Sequence, residues 1–206
     1  MASRERRSDA RNVGMSVPRP LLVAITGATG VIYGVELLRV LRELEQPAHL
    51  VMSEAAIMTL SLETAYSLEE VRALASVVYS NKDIGAAVAS GSFRTRGMVV
   101  APCSIKSLSS IAHSHSSTLI ARAADVTLKE RRPLVLMVRE TPLHKGHLEL
   151  MMRAADLGAL ILPPMPAFYD HPQTLMDVVH QGISRVLDQF DIENGLRPRW
   201  AGRSPG

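Results

Sequence analysis

The sequence predicts an α/β fold of three layers, a parallel sheet with helices on both faces. Three observations carry that expectation. Short, wholly apolar runs alternate with stretches of helical period from end to end. The apolar runs show no polar alternation, so both of their faces must be covered. The connections between successive runs are long enough for right-handed crossover helices.

The elements follow in order. Leu21–Ile25 is short, branched and apolar, and reads as a buried strand. Gly27-Ala28-Thr29-Gly30 breaks it. Val31, Val35, Leu38, Leu41 and Leu44 then share one face of a helix. Ala48–Met52 is a second strand, with a helical stretch from about Ser53. Val77–Tyr79 is a short third strand, and Met98–Ala101 a fourth, ended by Pro102. Residues 104–130 read as two helical pieces. Leu134–Val138 is a strand, His144–Leu157 a helix and Ala159–Leu162 the last strand. Pro163-Pro164-Met165-Pro166 forbids regular structure, and a closing helix runs from about Pro172 to Phe190.

Composition removes whole classes of function. The chain has 206 residues with 47 % apolar and 21 % charged, enough for one sizeable core. The organisation expected is a disordered leader over 1–19, one domain over 20–196 and a tail over 197–206. A single cysteine, Cys103, excludes a disulfide framework and a multi-cysteine zinc site. No window of 18 uninterrupted apolar residues exists, so no membrane span is expected. The net charge of +3 misleads, because each end carries +3 and the body, 20–196, carries −3. The body therefore lacks the footprint of a nucleic-acid binder, and 3 Phe, 4 Tyr and 1 Trp are too few for base-stacking surfaces. Residues 1–19 contain no hydrophobic run and are no secretory signal; a transit peptide or a start at Met15 are the other readings of this stretch.

In a parallel α/β sheet, ligands sit at the carboxyl ends of the strands, so the loops there hold the candidate residues. Small residues in Thr26-Gly27-Ala28-Thr29-Gly30 let backbone N–H groups approach an anion at a helix start, and the Thr29 hydroxyl adds a donor. The same residues also suit a plain strand–helix turn. A nicotinamide enzyme fits poorly: the loop is not G-x-G-x-x-G, and the second strand ends His49-Leu50-Val51-Met52-Ser53 without an acid for a ribose hydroxyl. Tyr79 and Lys82 are three apart, not the four that a short-chain dehydrogenase uses. Flavin mononucleotide, with one terminal phosphate, suits the loop better.

Pro102-Cys103-Ser104-Ile105-Lys106-Ser107 opens another helix, and Ser104 and Ser107 are either caps or a second cradle. Cys103 itself reads as a buried small residue. Arg122 and Lys129, seven apart, share a helix face, while Arg139-Glu140 follows a strand directly at the sheet's ligand end. Arginine offers forked donors to phosphate and lysine a point charge; a carboxyl beside them can move protons, unless the group is only an ion-pair network. His113/His115 and His144/His147 lack a third ligand and read as incidental. Met151, Met152 and Met165 read as core or interface filler.

Taken together, GATGVIYG (27–34), SLET (61–64), SGSF (90–93), PCSIKSL (102–108), RAADVTLKERRPLVLMVRETPLH (122–144), LPPMPAFY (162–169) with HPQT, and RVLDQF (185–190) closely resemble the flavin prenyltransferases of the UbiX/Pad type. The resemblance covers about residues 20–200. It implies a Rossmann-like, flavodoxin-related fold in cytoplasmic homo-oligomers, commonly dodecamers. It implies that reduced FMN and dimethylallyl monophosphate are joined at N5 and C6 of the flavin without a metal, and that the prenylated FMN passes to a UbiD-type decarboxylase. By motif, Gly27, Ala28, Thr29, Ser53, Ser104, Ile105, Lys106, Ser107 and Arg139 would hold FMN. Tyr169, Arg185 and Ser90 would hold the prenyl donor, with Arg122 and Lys129 near its phosphate. Glu63 and Glu140 would be the acid/base candidates. Thr29 stands where relatives often have Ser, and Arg185 where Lys is frequent; hydroxyl and charge survive both changes. The competing roles are an FMN-dependent cysteine-type decarboxylase, which would be expected to lack the basic cluster, and a non-catalytic FMN-carrying subunit of an aromatic acid decarboxylase.

Overall fold

A computed structural model describes residues 18–197. The leader expected over 1–19 and the tail expected over 197–206 fall almost entirely outside that range. The elements run β1 (Leu21–Ile25), α1 (Ile32–Glu43), β2 (Ala48–Met52), α2 (Glu54–Glu63), α3 (Leu68–Ala73), β3 (Val77–Ser80), β4 (Gly97–Cys103), α4 (Ile105–Ala112), α5 (Leu119–Lys129), β5 (Leu134–Val138), α6 (Lys145–Asp156), β6 (Leu160–Ile161) and α7 (Leu175–Asp188). Short 3-10 turns occupy Ala87–Ala89 and Phe168–Asp170.

All six strands are parallel, in the order β3-β2-β1-β4-β5-β6. The chain winds outward from β1 in one direction, then returns beside β1 with β4 and winds the other way. The crevice at the carboxyl ends of β1 and β4 is therefore the topological switch point. Alternate residues of β1 feed two cores. Leu21, Val23 and Ile25 pack with α1 and α7, whereas Leu22 and Ala24 face α4 and α5. Covering both faces in this way demands the uninterrupted apolar runs seen in the sequence.

Four boundaries differ from expectation. β4 does not stop at Ala101 but runs through Pro102 to Cys103; Pro102 has no N–H to donate, the pairing with β5 is irregular after Val100, and it resumes at Cys103 opposite Val138. The helical stretch after Ser53 divides into α2 and α3. Thr64 ends α2 by turning its hydroxyl back to the Leu60 carbonyl, and Ser67 with Glu70 forms a capping box that starts α3. The last strand is two residues rather than four, although the Leu162 N–H still reaches the Leu136 carbonyl. The closing helix begins at Leu175, because Thr174 and Asp177 form a second capping box there.

That second box anchors the helix carrying Arg185. The Asp177 carboxyl is held below its ordinary range by N–H donation from Gln173 and Thr174 and by the Thr174 hydroxyl. A depressed folded value means that the ionised form stabilises the fold above the ordinary carboxylate range, and that the contribution is lost as pH falls through it. Asp177→Ala will therefore melt below the wild type at pH 7. The gap will close as the pH is taken below about 4. Calorimetric melting at several pH values checks this; a gap that is constant with pH contradicts it.

Candidate functional site

The switch point is fastened by one buried side chain. Thr26, at the end of β1, is fully buried. Its hydroxyl donates to the Pro102 carbonyl at 2.7 Å and accepts the Ser104 N–H at 2.8 Å. The loop after β1 and the start of α4 are thus held in fixed relation. Ser104 then caps α4, accepting the Ser107 N–H. Ser53 caps α2 and Thr118 caps α5, each by accepting a backbone N–H from the first turn. Asn81 fixes α5 further: its carbonyl accepts the Leu119 N–H and its amide oxygen the Ile120 N–H.

These three helix starts surround a cleft of about 620 Å³, whose walls include Gly27, Ser53, Ser104, Lys106, Ser107 and Thr118. Unpaired first-turn N–H groups and the positive ends of three helix dipoles make the cleft favourable to an anion. Lys106 adds a charge. Lys82, also at the wall, is paired with Glu54 at 2.6 Å on the open surface. Gly27 is required here, since a Cβ would collide with that of Ala55 in α2. The loop is therefore packed directly against the first turn of α2, as a phosphate cradle requires. Among the described residues, no group of three or more His, Cys, Asp or Glu side chains is placed to hold a metal ion.

Beyond the loop, a second group of residues continues along the same edge of the sheet. Tyr33 lies against Gly30 and Gly182. Burial raises the Tyr33 phenol above its ordinary value, and the nearby Arg139 guanidinium opposes that shift. Arg139 is placed by its N–H donating to the Cys103 carbonyl. Glu140, next in sequence, is exposed, and its carboxylate accepts the Thr141 N–H at 2.9 Å. Gly182, Tyr169 and Arg185 line a second cleft of about 430 Å³. Glu63 ends α2 with its carboxylate accepting N–H groups of Gly30 at 2.7 Å and Val31 at 3.3 Å. Its position caps α1, whose own N-cap residue, Val31, offers no side-chain acceptor.

Not every candidate residue is found there. Arg122, Asp125 and Lys129 form an outward stripe on α5, with Arg122 paired to Asp125 at 3.1 Å. Lys129 lies at the far end of that helix, just before β5 begins. Ser90 is beside it: Arg132 donates to the carbonyls of Gly91 and Phe93, and Gly91 abuts Glu130. Ser90 and Lys129 thus lie at the amino edge of the sheet. Gly27, Ser53, Ser104, Arg139 and Glu140 lie at its carboxyl edge, about 16 Å away by the rise of a five-residue strand.

Cys103 is buried, and desolvation pushes its thiol up to about 12, which suits a packing role rather than a nucleophile. His144 caps α6 and stacks on His147, with ring centroids 3.6 Å apart. Several residues of this edge were not singled out from the sequence. Tyr33 sat unremarked inside a motif, although a phenol on an apolar helix face was the available signal. Thr26 reads only as the first residue of the glycine loop, Thr118 as part of the helical stretch 104–130, and nothing in the sequence marks Asn81. Arg197 reads as tail, yet its side chain is 13 % exposed and pairs with Asp170 at 3.0 Å.

The comparisons agree with this geometry. The family model described as Flavoprotein matches residues 9–184. The flavin prenyltransferase UbiX of Salmonella typhimurium is 60 % identical over 185 residues, which cover 88 % of this chain and 98 % of that protein. The crystal structure of AnUbiX (PadA1) in complex with FMN and dimethylallyl pyrophosphate has a TM-score of 0.89 at 47 % identity, covering 91 % of this chain and all of that one (100 %). A dodecameric FMN-dependent UbiX-like decarboxylase from Escherichia coli O157:H7 has a TM-score of 0.86 at 50 % identity, covering 89 % and 100 %. The chain belongs to the flavoprotein family and, within it, to the UbiX-type flavin prenyltransferases.

The role given to Thr26 is open to test. Thr26→Val leaves the Ser104 N–H buried without its acceptor and will cost about 1–3 kcal/mol of stability. Thr26→Ser keeps the hydroxyl and will retain most of it. Denaturant melts of the two variants measure the difference; equal stability would remove the hydroxyl from the account.

Proposed function

We propose that this chain transfers the dimethylallyl group of dimethylallyl monophosphate to N5 and C6 of reduced FMN, releasing phosphate and giving prenylated FMN for a UbiD-type decarboxylase. The observation that supports it most is the cleft where the starts of α2, α4 and α5 meet, with a second cleft lined by Tyr169 and Arg185. A flavin phosphate suits the first region and an anionic donor the second.

The flavin supplies the nucleophilic nitrogen and ring carbon; the chain supplies the rest. Gly27, Ala28, Thr29, Ser53, Ser104, Ile105, Lys106 and Ser107 offer backbone and hydroxyl donors to the flavin phosphate and chain, and Arg139 offers its guanidinium on the side of Tyr33. Tyr169 and Arg185 bind the donor phosphate. An allylic C–O bond breaks readily only when the departing phosphate is neutralised, and Arg122, Arg185 and Lys129 supply that charge without a metal. Glu140 accepts or returns the proton that accompanies closure of the new ring. Glu63, held by two N–H groups beside the flavin loop, is the second candidate.

Ser90 and Lys129 of one copy cannot meet Arg139 and Glu140 of the same copy across the sheet. We therefore place them in the site of a neighbouring copy, which makes a homo-oligomer a condition of activity. A dodecamer, as in the related structure, satisfies it. No described helix is long and apolar enough to cross a membrane, and the lone buried cysteine suits the reducing cytoplasm.

Anaerobic incubation with reduced FMN and dimethylallyl monophosphate, followed by mass spectrometry of the flavin, tests the reading. A flavin heavier by one five-carbon unit is expected; unmodified flavin with either the monophosphate or the diphosphate donor overturns it. Glu140→Gln will slow the transfer about a hundredfold or more while FMN stays bound. Transfer at the wild-type rate removes Glu140 from the proton chemistry.

A further inference from the structure

Tyr169 occupies an exposed position for a residue that must aim a hydroxyl. It lies in the 3-10 turn Phe168–Asp170, and its residue surface is 53 % exposed. Two attachments hold the turn. Gln181 of α7 clamps the preceding residue, accepting the Ala167 N–H at 3.0 Å and donating to its carbonyl at 2.9 Å. That fixes the backbone, but not the phenol.

Arg197 holds the phenol. One guanidinium nitrogen donates to the Tyr169 hydroxyl at 2.9 Å, and another pairs with the Asp170 carboxylate at 3.0 Å. The guanidinium carbon lies 5.7 Å from the Tyr169 ring centroid. Both members of the ion pair are largely desolvated, with side chains 13 % and 14 % exposed. Arg197 and Tyr169 together separate two clefts of about 430 and 450 Å³, and Arg185 lines both.

We infer that Arg197 is a positioning residue for the prenyl donor, acting through Tyr169: it fixes the direction and the polarity of the phenol hydroxyl at the wall of the donor cleft. A guanidinium only donates. The Tyr169 oxygen is therefore the acceptor in this contact, and its proton points elsewhere, the polarity required to donate to a phosphate oxygen. Asp170 keeps the guanidinium in place and offsets its charge, so Arg185 remains the cation facing the donor. The fork of Arg197 serves Tyr169 and Asp170 at once, which a lysine ammonium on a flexible stem does less well.

The inference rests on the reading of Tyr169 as a donor-binding residue, and the experiment separates the two. The full-length protein is loaded with oxidised FMN, so that no transfer occurs, and titrated calorimetrically with dimethylallyl monophosphate. Arg197→Leu will weaken donor binding about tenfold, the worth of one charge-assisted hydrogen bond. FMN affinity will be unchanged. Under turnover the loss will fall on KM rather than kcat. Arg197→Lys will restore part of it. The double variant with Tyr169→Phe will bind no worse than Tyr169→Phe alone, because one interaction has been removed twice.

Wild-type donor affinity in Arg197→Leu, or additive losses with Tyr169→Phe, would each overturn the inference while leaving the prenyl-transfer reading intact. Failure of the wild-type protein itself to bind the donor would bring down both.

Discussion

Parallel pairing of β1 with β4 is the constraint from which the rest of the molecule follows. Because every strand points the same way, every strand-to-helix loop falls on one edge, so the starts of α2 and α4 converge there, and Asn81 after β3 holds the start of α5 beside them. The convergence becomes a site only if the loops on either side of the switch keep their spacing. Thr26 does this from inside the sheet, with a hydroxyl shared between the Pro102 carbonyl and the Ser104 N–H. A buried polar group satisfied on both sides costs little and specifies one arrangement. The glycine at position 27 then lets the loop lie against α2, and Glu63 returns from the end of α2 to cap α1. The first two contacts join elements that border the cleft, and the third ties α2 to the start of α1.

The same directionality sends the other candidate cations to the wrong place for a single chain. α5 starts at the carboxyl edge and must finish at the amino edge, because β5 begins there. Lys129 therefore belongs to the amino edge as firmly as Arg139 belongs to the carboxyl edge. No side-chain rotation spans that distance. In the function proposed above, assembly and catalysis are a single requirement, because Lys129 of one copy would complete the Arg139 side of another.

Sequence reasoning reached the architecture because the signals were local and redundant. Leu21–Ile25 and Leu134–Val138 are buried from end to end and appear in the structure with the bounds the sequence implies. Weak elements were harder. β6 pairs only two residues at an edge, where burial no longer enforces a pattern. β4 continues through Pro102 because its neighbour supplies Cys103 with a partner, a tertiary effect that overrides the local rule. Of the site, the loops could be located and their chemistry named. Which residues face one another could not, since Ser90 and Lys129 read as neighbours of Tyr169 and Arg185 around one donor phosphate, whereas the fold puts Ser90 and Lys129 at the amino edge. Arg197 reads as part of a basic tail, because its two partners lie 27 and 28 residues earlier and no periodicity connects them.

The most direct test of the shared-site account is complementation between two inactive chains. Arg139→Ala and Lys129→Ala are purified separately, unfolded, mixed in equal amounts and refolded, and prenylated flavin is measured. Random assembly leaves about one site in four with both residues intact, so the mixture should recover roughly a quarter of wild-type activity although neither parent has any. A mixture as inactive as its parents, with assembly intact, would contradict the claim that two copies build one site.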